Sequence, residues 1–131
     1  MTQSKSSLSL SSTSSILSRI KEGYLIWIDF VPHISKCSRF TIGQRIENKF
    51  LDLLELSRIT YFSEKDKKVA KISECILTLD TLKFLISVAW EGKIIPNNKY
   101  EELSKKLDEA GKMFGGWKKN LANPEKKNRL V

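Results

Sequence analysis

From Ile16 onward, apolar residues recur at intervals of three and four, the repeat of a helix with one buried face. In a first segment, about 16–36, the series is Leu17, Ile20, Tyr24, Trp27, Val31 and Ile34. Pro32 falls inside it, removes one backbone hydrogen bond and predicts a kink in the last turn or two. A second segment, 41–61, sets Ile42, Ile46, Phe50, Leu53/Leu54 and Ser57 on one face. A third, 64–91, carries Val69, Ile72, Ile76, Leu79, Leu82, Ile86 and Ala89 and stops near Gly92, a usual C-terminal residue. The fourth, 98–122, has the cleanest seam: Tyr100, Leu103, Leu107, Ala110, Phe114, Trp117 and Leu121. That is a 3-4 alternation held through three heptads.

Polar residues at the joints predict where these helices begin. Thr41 and Gln44 have the T-x-x-Q spacing of a capping box, Ser63 and Asp66 have the S-x-x-D form, and Asn97 or Asn98 follows Pro96. Gly43 then sits in the first turn, leaving room for a neighbour, and Phe40 is placed to pin the incoming chain. The joints are a few residues long, so successive helices turn back on one another. The expectation is an all-α, antiparallel up-down-up-down four-helix bundle over 16–123. Residues 1–15, eight of them serine, read as a disordered tail, and 124–131 as a short basic one.

Two features exceed what a single seam needs. Leu51, Leu56, Ile59, Leu77, Phe84 and Val88 lie off the seams of the second and third helices. Such an extra stripe fits either a second copy of the chain or a broad core-facing surface. In the fourth helix Gly111, Gly115 and Gly116 each cost roughly 1 kcal/mol relative to alanine. The expected return is close helix approach, within the bundle or across a subunit contact, with Trp117 packing beside them. The other reading is a helix that bends or ends near 115.

Composition changes the picture through its charge. The 131 residues carry a formal net charge of +8, which attracts polyanions, nucleic acid first. Cys37 and Cys75 form no C-x-x-C pair, and no secretory signal is visible, so a reduced, cytoplasmic protein is expected. The longest apolar run, Tyr24 to Ile34, is too short to span a bilayer and contains Asp29 and His33.

No catalytic constellation emerges. His33 is the single histidine; with Cys37 one turn on, two ligands do not close a zinc site. "GKMFGGW" lacks the preceding strand and the G-K-[ST] ending of a phosphate loop. No cofactor and no metal are therefore expected. The basic residues are the stronger lead. Lys105, Lys112 and Lys119 recur every seven residues opposite the fourth seam, and residues 105–131, with Lys118 among them, hold eight Lys or Arg against three acids. A phosphate backbone would read that face without base specificity. Arg39 and Arg45 flank the positive end of the second helix, a further place for an anion.

Three motifs carry a resemblance. "W-x-x-x-x-P-H-I" spans Trp27 to Ile34, "R-F-T-I-G-Q-R-I" spans Arg39 to Ile46, and "G-x-x-x-G-G-W" spans Gly111 to Trp117. Over about 24–121 the chain resembles the accessory variability determinant (Avd) proteins of diversity-generating retroelements; proteins encoded in 23S rRNA intervening sequences are close relatives. The resemblance implies a homopentameric, positively charged barrel that is not an enzyme. It implies binding to a reverse transcriptase and its template RNA in support of mutagenic cDNA synthesis. It also implies basic residues on the second half of helix three and on helix four: Lys83 holds such a position, while Ser87 stands one turn on where an arginine would strengthen it. The proline usual before the R-F motif is absent from "SKCSRF". The alternatives are an intervening-sequence protein of undefined nucleic-acid role and a protein–protein adaptor bundle.

Overall fold

The computed structural model describes residues 11–122. It is an all-helical bundle with no strand among those residues. The elements are α1 (Ser11–Phe30), a 3₁₀ turn (Val31–His33), the one-turn helix α2 (Lys36–Arg39), α3 (Ile42–Tyr61), α4 (Lys65–Glu91) and α5 (Asn97–Ala122). α1 packs on α3 and α5, and α4 packs on the same two, so four long helices surround one core.

The seams build that core. α4 buries Ile72, Cys75, Leu79, Leu82, Ile86 and Ala89, in steps of three and four. α5 contributes Leu103, Leu107, Ala110 and Phe114. Trp27, Phe50 and Phe114 are the largest fully buried side chains; removing a phenylalanine ring from water contributes about 1.5–3 kcal/mol. α3 continues its seam with Ser57 and Thr60, both buried. Their hydroxyls donate to the carbonyls of Leu53 at 2.6 Å and Leu56 at 2.7 Å, and Thr60 Oγ1 lies 3.4 Å from Cys75 Sγ. These bonds keep the polar groups satisfied away from water. Burial pushes the Cys75 thiol above its usual range, against the pull of both hydroxyls.

Three local expectations are corrected. The serines at 11, 12, 14 and 15, expected in a disordered tail, lie in α1, while residues 1–10 and the basic tail 124–131 fall outside the described residues. Pro32 does not kink the first helix; it ends it. With no N–H and a ring that collides with the preceding turn, it takes the chain into the 3₁₀ turn, closed by Ile34 N–H donating to Val31 O at 3.0 Å. Ile34 and Ser35 are then extended before α2 begins.

The third correction concerns the caps. Thr41 stands at the N-cap of α3, but its hydroxyl donates backward to Cys37 O (3.0 Å) and Ser38 O (3.3 Å), satisfying the carbonyls that close α2. Ser63 likewise bonds Ile59 O in the helix it leaves, and α4 starts from Glu64 without a side-chain cap. Asn97 accepts a hydrogen bond from Trp90 Nε1 at 2.7 Å. At the end of α4, Gly92 keeps a negative φ and the left-handed residue is Lys93, at φ 63°.

Candidate nucleic-acid interface

The basic face predicted on the fourth helix lies on α5. Lys105, Lys112 and Lys119 are exposed, and Lys118 is half-buried. A seven-residue spacing repeats about every 10.5 Å along a helix, so the lysines form a row rather than a cluster. Lys105 and Lys112 border a shallow groove of about 640 Å³ with Lys83, Tyr100, Glu101 and Asp108. The groove is mixed in sign, because Lys83 Nζ pairs with Asp108 at 2.7 Å across α4 and α5.

Other cations are committed to contacts within the chain. Lys106 Nζ pairs with Glu22 at 2.8 Å, and Arg19 reaches both Glu22 at 3.0 Å and Glu109 at 2.5 Å, tying α1 to α5. The Lys106 bond, opposed by desolvation and aided by Arg19, holds the Glu22 carboxyl below its ordinary range. Arg39 is turned inward too: Nη2 donates to Ile34 O at 3.0 Å and Pro32 O at 3.3 Å, clamping the extended joint after α1. Arg45, by contrast, is exposed on the first turn of α3. The expected set therefore divides. Lys105, Lys112, Lys119 and Arg45 are exposed, whereas Lys83 and Arg39 are drawn into the ion pair and carbonyl contacts just described.

The glycines divide as well. A β-carbon on Gly111 would touch Leu79 Cδ2 at 3.4 Å, so here α5 does approach α4 closely. At Gly115 and Gly116 nothing in the chain lies within 4 Å, and α5 continues as helix to Ala122. Trp117 is half-buried against the core. Sequence reasoning overlooked the stack of Trp90 on Tyr100, with centroids 4.4 Å apart and planes 7° apart, beside the groove. The signal was present: two aromatics flanking a short Gly- and Pro-bearing turn.

Apolar residues also face outward. On α4, Leu77 (69% exposed), Phe84 (64%) and Val88 form one stripe opposite the buried seam. On α3, Leu51 and Ile59 are exposed, while Leu56 packs against the core. No described helix is long and apolar enough to cross a membrane.

Residues 16–121 match the family described as bAvd-like. No curated protein and no solved structure matches the chain.

Proposed function

The chain belongs to the bAvd-like family, and from that premise we propose that it is a non-enzymatic accessory subunit of a diversity-generating retroelement. In this reading it binds the reverse transcriptase and the template RNA and supports mutagenic cDNA synthesis. The observation that carries the RNA half is the solvent-facing row Lys105, Lys112 and Lys119 on a chain of net charge +8. Phosphates replace counterions along such a row, and the contact carries no sequence information. Arg45 and Lys118 extend the surface; Lys83 contributes only where RNA displaces Asp108.

The long helices run antiparallel, up-down-up-down, in this proposal. Support comes from register: Arg19 meets Glu109 while Glu22, further along α1, meets Lys106, earlier in α5. Five copies associate into a barrel, and the α4 stripe of Leu77, Phe84 and Val88 supplies apolar surface for another copy. The open space over Gly115 and Gly116 is a second place where a partner backbone could lie close.

Charge reversal of Lys105, Lys112 and Lys119 to glutamate tests the RNA half. RNA association should be lost while helicity and oligomer mass stay as in the parent; retained binding sinks it. Co-purification with a co-expressed retroelement reverse transcriptase tests the other half, and its failure defeats that half.

A further inference from the structure

A different part of the molecule gathers two of the three sequence motifs. The end of α1, the turn after it and the start of α3 enclose a cavity of about 280 Å³. That is just under the ~300–1,000 Å³ of small-molecule sites. Trp27 and Arg39 wall it on one side, and Gln44, Glu47 and Asn48 line it from α3, with Phe40 at its mouth.

Two of those residues hold a buried N–H without an acceptor: Trp27 Nε1 and Arg39 Nε. Trp27 is fully buried. Its Cζ2, next but one to that nitrogen, lies 3.9 Å from where a β-carbon on Gly43 would be, so that edge of the ring packs beside Gly43, which also lines the cavity. Arg19 Nε, similarly enclosed, differs in having Glu109 at 2.5 Å. Native proteins rarely leave buried donors unpaired, and two beside one cavity point to an acceptor that enters it.

The remaining chemistry selects the acceptor. The walls are mainly apolar, the Glu47 carboxylate accepts hydrogen bonds, and Gln44 and Asn48 do both. Phe40 is 63% exposed, an aromatic face left in water. It also lines a neighbouring depression of about 440 Å³ that contains Arg45. A flat ring with a carbonyl on one edge and N–H groups on the next, carried by a phosphate chain, matches all of these together.

We propose that this cavity seats one nucleobase splayed from single-stranded RNA, with guanine preferred. This rests on the RNA-binding reading and adds base recognition to it. The guanine O6 accepts from the Trp27 and Arg39 N–H groups once those side chains, whose nitrogens are buried in the free chain, turn toward it. Its N1–H and N2–H donate to Glu47, an arrangement single-stranded RNA offers because its edges are free. Phe40 covers the seated guanine ring, and Arg45 takes a phosphate. Adenine has no carbonyl: a ring nitrogen can accept from one of the two donors, but its amino group stands where O6 would be and leaves the other unpaired.

The test uses three ten-nucleotide RNAs: all adenosine, the same with one central guanosine, and the same with a central abasic site. Binding to the full chain is read by fluorescence anisotropy at several salt concentrations. The guanosine RNA should bind about tenfold tighter than the other two, as expected for one stacked, hydrogen-bonded base, with the same salt slope. Phe40→Ala and Glu47→Gln should each remove most of that preference and leave all-adenosine binding unchanged, with circular dichroism confirming the fold. Equal binding of all three RNAs overturns the base site while leaving the lysine row standing. A guanine preference untouched by both substitutions also overturns it, by placing recognition elsewhere. No binding of any RNA at low salt instead defeats the RNA-binding reading itself.

Discussion

Replacing Gly43 by alanine inserts one methyl group where the geometry leaves no room. The new β-carbon would lie 3.0 Å from the carbonyl oxygen of Ser38, inside ordinary contact distance. That oxygen belongs to the last turn of α2 and already accepts from Thr41 Oγ1 at 3.3 Å and Thr41 N–H at 3.3 Å, so it cannot rotate aside as a side-chain end could. Either α2 or the first turn of α3 must move. Overpacking of this kind costs about 1–3 kcal/mol, against a gain of at most about 1 kcal/mol from replacing a helical glycine. The net is a loss of roughly 1 kcal/mol, or about 4 °C in melting temperature for a chain of this length. Gly116→Ala is the control: nothing in the chain stands within 4 Å, and the same helix gain of roughly 0.5–1 kcal/mol should appear as a rise, a fall instead placing a partner copy over this position. Thermal unfolding by circular dichroism at one chain concentration reads both. A Gly43→Ala variant melting at or above the parent would refute the close-approach reasoning.

Lys93→Gly should stabilise the chain by about 0.5–1 kcal/mol, since a left-handed backbone costs a side-chain-bearing residue about that much or more; an unchanged or lower urea midpoint counts against it. Cys37 is exposed and Cys75 buried, so a thiol reagent should label one equivalent in the native protein and the second only after unfolding; two fast equivalents would contradict the core. Glu22, held below its ordinary value of 4.5, binds fewer protons folded than unfolded, so its contribution is present above that value and lost as pH falls through the folded one. Glu22→Gln should therefore be less stable than the parent at neutral pH and equal to it in strong acid, with a constant difference across that range showing the ion pairs to be idle.

The seam residues were legible because burial and helical period are the same fact seen twice. Ile72, Leu79, Leu82, Ile86 and Ala89 were read from spacing and are all buried. Caps were not. A threonine or serine hydroxyl at a joint can bond forward to a free N–H or backward to a free carbonyl, and Thr41 and Ser63 took the second course because the preceding helix ends within reach. Ile95, fully buried in a connection, breaks no period and so gave no signal. At the candidate interface the outward row of lysines followed from heptad spacing alone. The Lys83–Asp108 pair did not, since it depends on the rotation of α4 against α5. Nor did the inward turn of Arg39, whose acceptors are carbonyls freed only when Pro32 ends α1.

The outward stripe of Leu77, Phe84 and Val88 gives the chain two opposed responses to ionic strength. Contact between copies through that stripe draws together molecules of equal charge, each +8, so added salt screens their repulsion and tightens the contact. Contact with a phosphate chain loosens as salt rises, because counterions released into more concentrated salt gain less entropy. One titration thus separates the two surfaces: molecular mass should climb, or hold, over the same range in which RNA is let go.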